Sequence, residues 1–292
     1  MASERENNMV KVVKPPSPKE NLLIVDGLNL AFRWKDHRKG PMAGVVRFAE
    51  EFVATIESLA KSYDAGQIIV AADMRGSSYR KEIYPDYKGN RKDAYKDQTP
   101  EEKVNSELFF AEYEKALELC DKRFLLLRYE GVEADDIAAY IVTRRREYGF
   151  DQIWLISSDR DWDLLIKPDV HRFSTVTRKE ITLDTWPYEV PPEQYLCYKC
   201  LMGDKGDNIP GVPKVGPITA AKLLAEWGSS FDIIDAMPLP GKYVYIKNLN
   251  AHKDQILLNH ELMDLETYCE EAIGSDNIRD IGMQIMRNEK RH

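Results

Sequence analysis

The chain has 292 residues, of which 43% are hydrophobic and 31% charged, with a formal net charge of −8. That is enough chain for one large domain and a smaller one, with ample apolar residues for a core. No stretch approaches the roughly 18 apolar residues of a membrane helix, so no membrane role is expected. Residues Met1–Glu20 are polar, mixed in charge and broken by Pro15, Pro16 and Pro18. They predict a disordered tail without a secretory signal, and therefore a cytoplasmic protein. Four cysteines in such a chain read as free thiols. A net negative charge argues against a nucleic-acid partner, unless the acids are gathered in one place.

In chain order, the apolar run Leu22-Leu23-Ile24-Val25 stops at Asp26 and predicts a buried parallel strand. Val45–Tyr63 carries Phe48, Phe52, Ile56 and Leu59 at helical spacing. Ile68–Ala72 predicts a second strand, stopping at Asp73. Asn105–Leu119 predicts a helix, Phe124–Leu127 a strand, and Glu133–Tyr148 a helix with Ile137, Ala138, Ile141 and Val142 on its apolar face. Ile153–Ile156 predicts a further strand, followed by Ser157-Ser158-Asp159. Strands alternating with helices imply βαβ units, hence an α/β fold with a mostly parallel sheet flanked by helices. After Pro191-Pro192 strand signals end, and short helices broken by Gly, Pro and Asn follow. The expected organisation is a tail over 1–20, an α/β domain over 21–190 and a small helical domain over 191–292.

Asp26, Asp73 and Asp159 each follow a strand. In an open parallel sheet the carboxyl ends of the strands share an edge where ligands bind. A single such Asp reads equally as a turn or capping residue, but three strand ends out of three point to convergence. More acids lie in suitable places: Glu133, Asp135 and Asp136 at a helix start, Asp161 beside Asp159, and Asp204 and Asp207 in Met-Gly-Asp-Lys-Gly-Asp-Asn. Nine clustered carboxylates would repel one another unless cations neutralised them. Carboxylate donors without a Cys/His set suit Mg²⁺ or Mn²⁺ rather than zinc. Two such ions could clamp a phosphodiester and activate water. Setting these nine acids aside, the rest of the chain carries +1, and the objection to a nucleic-acid partner weakens.

Arg75–Lys96 holds seven bases and three acids, with Tyr79, Tyr84, Tyr87 and Tyr95 between them. Bases track phosphates and aromatics stack on unpaired bases. The competing reading is a solvated loop, but its place directly after Asp73 favours a lid or arch, about 75–105, over the acids. Gly203–Pro217 is rich in Gly and Pro and precedes a helix from Ile218. It reads either as a phosphate-gripping hairpin or as a tight helix–helix turn.

At these residues the chain resembles the flap endonuclease/5′–3′ exonuclease family. The matching pieces are Val25-Asp26-Gly27-Leu28-Asn29-Leu30, Asp73, Tyr87-Lys88-Gly89-Asn90-Arg91, Gly131–Asp136, Ser158–Asp163 and Met202–Gly216. They run in the family's order over about residues 22 to 265, and the size is most similar to the stand-alone bacteriophage members. The resemblance implies a PIN-like nuclease domain, a helical arch and a helix–three-turn–helix DNA-binding motif. It implies hydrolysis of 5′ flaps, 5′ ends and RNA primers in replication, on branched DNA and RNA–DNA hybrid, by a monomer that could meet other replication proteins. By motif match, Asp26, Asp73, Glu133 and Asp135 would serve one Mg²⁺ and Asp136, Asp159, Asp161, Asp204 and Asp207 the other, with the division left open, above all at Asp136. Lys88 would contact the scissile phosphate with Arg91 as helper, and Tyr87 could stack on a base beside the cut. Gly211, Lys214, Gly216 and Thr219 would meet duplex phosphate, and the Val212 and Val215 carbonyls could hold a K⁺. Ile218 stands where the family often has a lysine, and the resemblance offers Lys214, across the turn, as its replacement. Arg160 stands where a small residue is common in the family, which adds a candidate phosphate contact.

Arg33 and Lys35 either touch substrate or are simply solvated. Cys197-Tyr198-Lys199-Cys200 lacks the second pair that a zinc site needs, and buried thiols are expected. Asp163 reads as a helix acid. A PIN-type ribonuclease shares the acid cluster without explaining the basic segment or the hairpin. A non-catalytic junction binder is the third reading.

Overall fold

The computed structural model describes residues 21–37 and 47–289; the expected tail over 1–20 lies outside the described residues. The first layer follows the chain as β1 (Asn21–Asp26), α1 (Gly27–His37), α2 (Phe48–Ser62), β2 (Gln67–Ala71), α3 (Ser78–Ile83), α4 (Gly89–Lys96), α5 (Pro100–Asp121), β3 (Leu125–Leu127), α6 (Ala134–Thr143), β4 (Gln152–Ile156), β5 (Val170–Ser174) and β6 (Lys179–Ile181). The strands pair in the order β3-β2-β1-β4-β5-β6. All neighbours are parallel except β5 and β6. Asp26 pairs with Ala71 on one side of β1, while Val25 pairs with Ile156 on the other.

Every residue of β1 is buried because both faces of the sheet are covered. Leu22 and Ile24 point into a core with Ile69, Ile137, Ile141 and Leu155. Leu23 and Val25 point the opposite way, toward Phe52, Ile56, Val70, Phe109 and Leu117. This alternation places α6 on one face and α2 with α5 on the other. The long α5 starts sharply: Thr99 and Glu102 form a reciprocal capping box with Pro100 at the first helical position.

The rest is helical: α7 (Tyr195–Met202), the two-residue strands β7 (Gly203–Asp204) and β8 (Ile209–Pro210), then α8 (Pro217–Trp227), α9 (Ser230–Asp235), α10 (Val244–Ala251), α11 (Lys253–Met263), α12 (Leu265–Ile273) and α13 (Ser275–Glu289). A third core joins Tyr195, Leu201, Val212, Leu223, Leu224, Ile233 and Leu249. The boundary expected near residue 190 does not divide the cores cleanly. Leu265, Cys269 and Ile273 of α12, with Ile281 and Ile285 of α13, return to the α6 face of the sheet. The final two helices thus cover the first domain, burying apolar surface that the sheet would otherwise expose.

Candidate metal and phosphate site

The strand order reverses at β1, with β2 on one side and β4 on the other, which opens a crevice at the carboxyl ends. Asp26 ends β1 there and is 7% exposed. Its Oδ2 accepts from Ser157 Oγ at 2.8 Å and its Oδ1 from the Asn29 N–H at 3.1 Å. Burial, then the charge of Asp73, pushes its carboxyl up to about 7 despite those donors. Asp73 Oδ1 accepts the Ala134 N–H at 2.7 Å, the first amide of α6. Burial and Glu133 raise its carboxyl too. Asp135 Oδ1 accepts from Trp162 Nε1 at 2.5 Å, and burial with Asp159 lifts it well above the usual range. Burial and Asp161 raise Asp159. Acids from four separate segments therefore sit in one another's field.

Two lysines answer that charge. Lys88 Nζ donates to Glu133 Oε1 at 2.7 Å and lies 3.6 Å from Asp207 Oδ2. Burial opposes its charge, but Glu133, Asp207 and Asp135 outweigh it and hold the ammonium firmly protonated. Lys88 adopts φ +54°, a left-handed conformation unusual for a side-chain-bearing residue. Its N–H donates to the Asp207 carbonyl at 2.9 Å, which fixes that geometry. Arg91 Nη2 donates to Asp207 Oδ1 at 2.9 Å. Lys199 of α7, 7% exposed, donates to Asp161 Oδ1 and, at 3.2 Å, to Asp204 Oδ2. Asp204 also accepts the Gly206 N–H at 2.8 Å. Burial would raise its carboxyl, but Lys199 and these donors bring it below the ordinary range. Burial is likewise outweighed at Glu133 by Lys88 and Arg80.

Two expectations are corrected. Asp136 does not face the crevice: it is 0% exposed, and Arg80 donates to both its oxygens at 2.8 Å. Its lone pairs are committed to a guanidinium in the protein interior, and Arg80 is removed from the bases expected to track phosphate. Tyr87 does not offer its ring to a base either. It is 4% exposed, beneath Lys88 Nζ at 4.9 Å, and its one hydroxyl proton is shared between Glu133 Oε2 at 2.9 Å and Asp207 Oδ2 at 3.0 Å. Tyr87 orients acids.

Among the described residues no group of three Asp, Glu, His or Cys side chains stands close enough to enclose an ion. Lys88, Lys199 and Arg91 take the places between the carboxylates. The donors at the crevice are nevertheless carboxylate oxygens, and among the described residues Asp26, Asp73, Asp135 and Asp159 have no cationic side chain bonded to them. That donor set suits a hard divalent cation such as Mg²⁺ or Mn²⁺. Beside it lies a cavity of about 410 Å³ walled by Asp73, Lys81, Lys88, Arg91, Arg128 and Glu133.

The hairpin is a built turn. A Cβ on Gly211 would fall 2.0 Å from the Met202 carbonyl oxygen, so only glycine fits. Gly216 caps α8 with open space beyond its Cα, leaving its backbone approachable. Lys214 is exposed at φ +68° and Thr219 is half-buried in the first turn of α8. Val212 and Val215 bury their side chains, and the Val212 carbonyl accepts the Val215 N–H at 3.0 Å. Ile218 is 66% exposed. Arg33 lies on α1 over the Trp34 ring, 5.8 Å from its centre. The four cysteines are free and buried, and Asp163 is bonded at both oxygens by Arg172.

Sequence reasoning passes over Lys199, Ser157 and Trp162. Lys199 is legible as a cation in the last turn of the helix leading into Gly203-Asp204, but the flanking cysteines draw attention to themselves instead. Nothing local marks Trp162 as a donor to Asp135, which is 27 residues earlier.

Comparison with known proteins identifies the family and the fold. Residues 21–188 match the family model described as 5′-3′ exonuclease, N-terminal resolvase-like domain. Residues 190–284 match 5′-3′ exonuclease, C-terminal SAM fold. The flap endonuclease of Escherichia phage T5 is 46% identical over 88% of this chain and 87% of its own length. DNA polymerase I of Streptococcus pneumoniae is 31% identical over 89% of this chain, which spans 30% of that protein. The T5 D15 protein co-crystallised with metal ions superposes with a TM-score of 0.84 at 44% identity, over 91% of this chain and 98% of that one. A pseudo-enzyme-product complex of a variant T5 flap endonuclease with DNA and metal ions superposes at 0.86, also at 44% identity, over 92% of this chain and 99% of that one. This chain is a member of the 5′–3′ exonuclease family.

Proposed function

We propose that the chain is a structure-selective 5′ nuclease that hydrolyses phosphodiesters in 5′ flaps, 5′ ends and RNA primers with two Mg²⁺ ions. The observation that carries this reading is Lys88, held in a left-handed conformation between Glu133 and Asp207. A cationic donor to phosphate is thereby fixed among carboxylates at the reversal point of a parallel sheet. The T5 relatives, solved with metal ions and with DNA, support the same substrate and cofactor class.

Asp26, Asp73, Glu133 and Asp135 would hold one ion, and Asp159, Asp161, Asp204 and Asp207 the other. When bound, such ions acidify water and neutralise the phosphate. The chain's own residues do the rest. Lys88 and Arg91 line the cavity and would present N–H donors to the charge that develops on the phosphoryl oxygens. Tyr87 keeps Glu133 and Asp207 in place through a hydroxyl that both accept from. The Val212 and Val215 carbonyls with Gly216 and Thr219 would meet duplex backbone, with a K⁺ between.

A DNA with a labelled 5′ flap should be cut near the junction in Mg²⁺, and cutting that persists in EDTA refutes the reading. Lys88→Ala should slow single-turnover cleavage by about 10²–10³-fold while duplex binding changes little. Preferential cutting of plain RNA over flap DNA would favour the ribonuclease reading.

A further inference from the structure

A second basic pocket, of about 860 Å³, lies on the far flank of the sheet. Its walls include Ser158, Arg160, Ser174, Thr177, Arg178 and Lys179. The acid-lined cavity opens on the β2 side of β1, whereas this pocket opens on β5 and β6, beyond β4. By strand order Asp26, at the end of β1, lies between the two.

Its cations outnumber the one acid on its wall, Glu180. Arg172 also lines it but is consumed by Asp163. Glu180 accepts from the Tyr63 hydroxyl at 3.1 Å, a neutral donor, so its negative charge stays on the wall and offsets one of the cations. Arg160, Arg178 and Lys179 are exposed and make none of the side-chain ion pairs among the described residues. Three cations without an ion-pair partner against one carboxylate, with hydroxyls of Ser158 and Thr177 on the wall, leave the concavity net positive, which suits a phosphate.

The pocket is also tied to the crevice. The Ser158 Oγ accepts from Ser174 Oγ at 3.1 Å and from the Val176 N–H at 3.2 Å, which clasps the β5–β6 turn. The Ser158 N–H donates to Asn29 Oδ1 at 2.8 Å, and the Asn29 N–H donates to Asp26. Arg160 stands between Asp159 and Asp161 in the chain. A phosphate seated at Arg160 and Arg178 is thus held at a set place relative to the acids, on the side away from Lys88.

We propose that this pocket is a second phosphodiester subsite, which grips the substrate DNA strand where it continues past the cut. The inference rests on the nuclease reading and adds where the retained strand is held.

The test measures flap-DNA affinity against salt for the parent, Arg178→Asn, Arg178→Lys and Lys179→Gln. Arg178 sits at φ +55°, a conformation Asn tolerates, so the first variant removes charge without straining the turn. Arg178→Asn should weaken binding several-fold and reduce the slope of log K on log salt by about 0.9. The loss should appear in KM, and Arg178→Lys should restore most of it. Lys179→Gln should behave like Arg178→Asn. Affinity and slope equal to the parent's would overturn the proposal. So would Arg178-dependent stabilisation of the DNA-free protein by inorganic phosphate with no change in the DNA slope. A parent that neither binds nor cuts flap DNA would sink the nuclease reading instead.

Discussion

The Arg80 guanidinium grips Asp136 with two 2.8 Å hydrogen bonds in a place where Asp136 is 0% exposed. Arg80 Nε also donates to the Leu262 carbonyl at 2.8 Å, so the pair ties α3 to α6 and to the end of α11. Removing one partner strands a buried charge, at a cost of about 3–5 kcal/mol. Arg80→Met should show that loss in urea unfolding. Asp136→Asn should destabilise as well, yet leave the Mg²⁺ concentration for half-maximal cleavage unchanged. A tenfold rise in that concentration would make Asp136 a ligand after all.

Tyr87 sets up a cleaner contrast. Tyr87→Phe keeps the ring and removes the donor shared by Glu133 and Asp207. If the ring stacked on a base, Phe would serve as well. Because the hydroxyl orients acids, the variant should need roughly 10–100-fold more Mg²⁺ or lose activity in that range. Magnesium titrations of single-turnover cleavage distinguish the two.

How much of this is legible in the sequence follows from range. β1, β2 and β4 are apolar runs that announce themselves, and the acids at their ends are readable because strand ends in a parallel sheet converge. β5 escapes because its sequence, Val-His-Arg-Phe-Ser, carries an inward arginine whose partner, Asp163, lies nine residues away and is invisible to periodicity. Asp136 looks like its neighbour Asp135. Only the helical rotation of about 100° per residue separates them, turning one to the crevice and the other to Arg80. The basic segment reads as a phosphate track along its whole length, but burial of Arg80 and Tyr87 is a tertiary fact.

His260 gives the chain a pH dependence away from the crevice. Its Nε2 lies 2.5 Å from Ser230 Oγ, and its ring stacks on Phe231 at 4.4 Å. Burial lowers its pKa although Asp264 pulls the other way. The unfolded chain then binds a proton near pH 6.5 that the folded chain refuses, so stability falls as pH drops. The full contribution is present above about 6.5 and is lost as pH falls through the folded value. The urea midpoint should decline from about pH 7.5 to 5.5, and His260→Gln should flatten part of that decline. An unchanged slope would assign it to other groups such as His171, which burial also lowers.

Lys199 makes the last case, because it does a cation's work with a side chain. It is buried in contact with Asp161 and Asp204, and burial's opposition to its charge is overcome by both acids. In Lys199→Met the methylene stem survives while the charge goes, leaving two acids facing each other without compensation. Without divalent ions the variant should unfold several degrees below the parent, since each kcal/mol moves a chain of this size by about 2–4 °C. Added Mn²⁺ should then raise its Tm by more than it raises the parent's, because an ion entering near Asp161 and Asp204 no longer competes with an ammonium. Differential scanning calorimetry with and without Mn²⁺ reads both numbers. An equal metal-induced gain in the two proteins would show that the lysine and the ion occupy separate places.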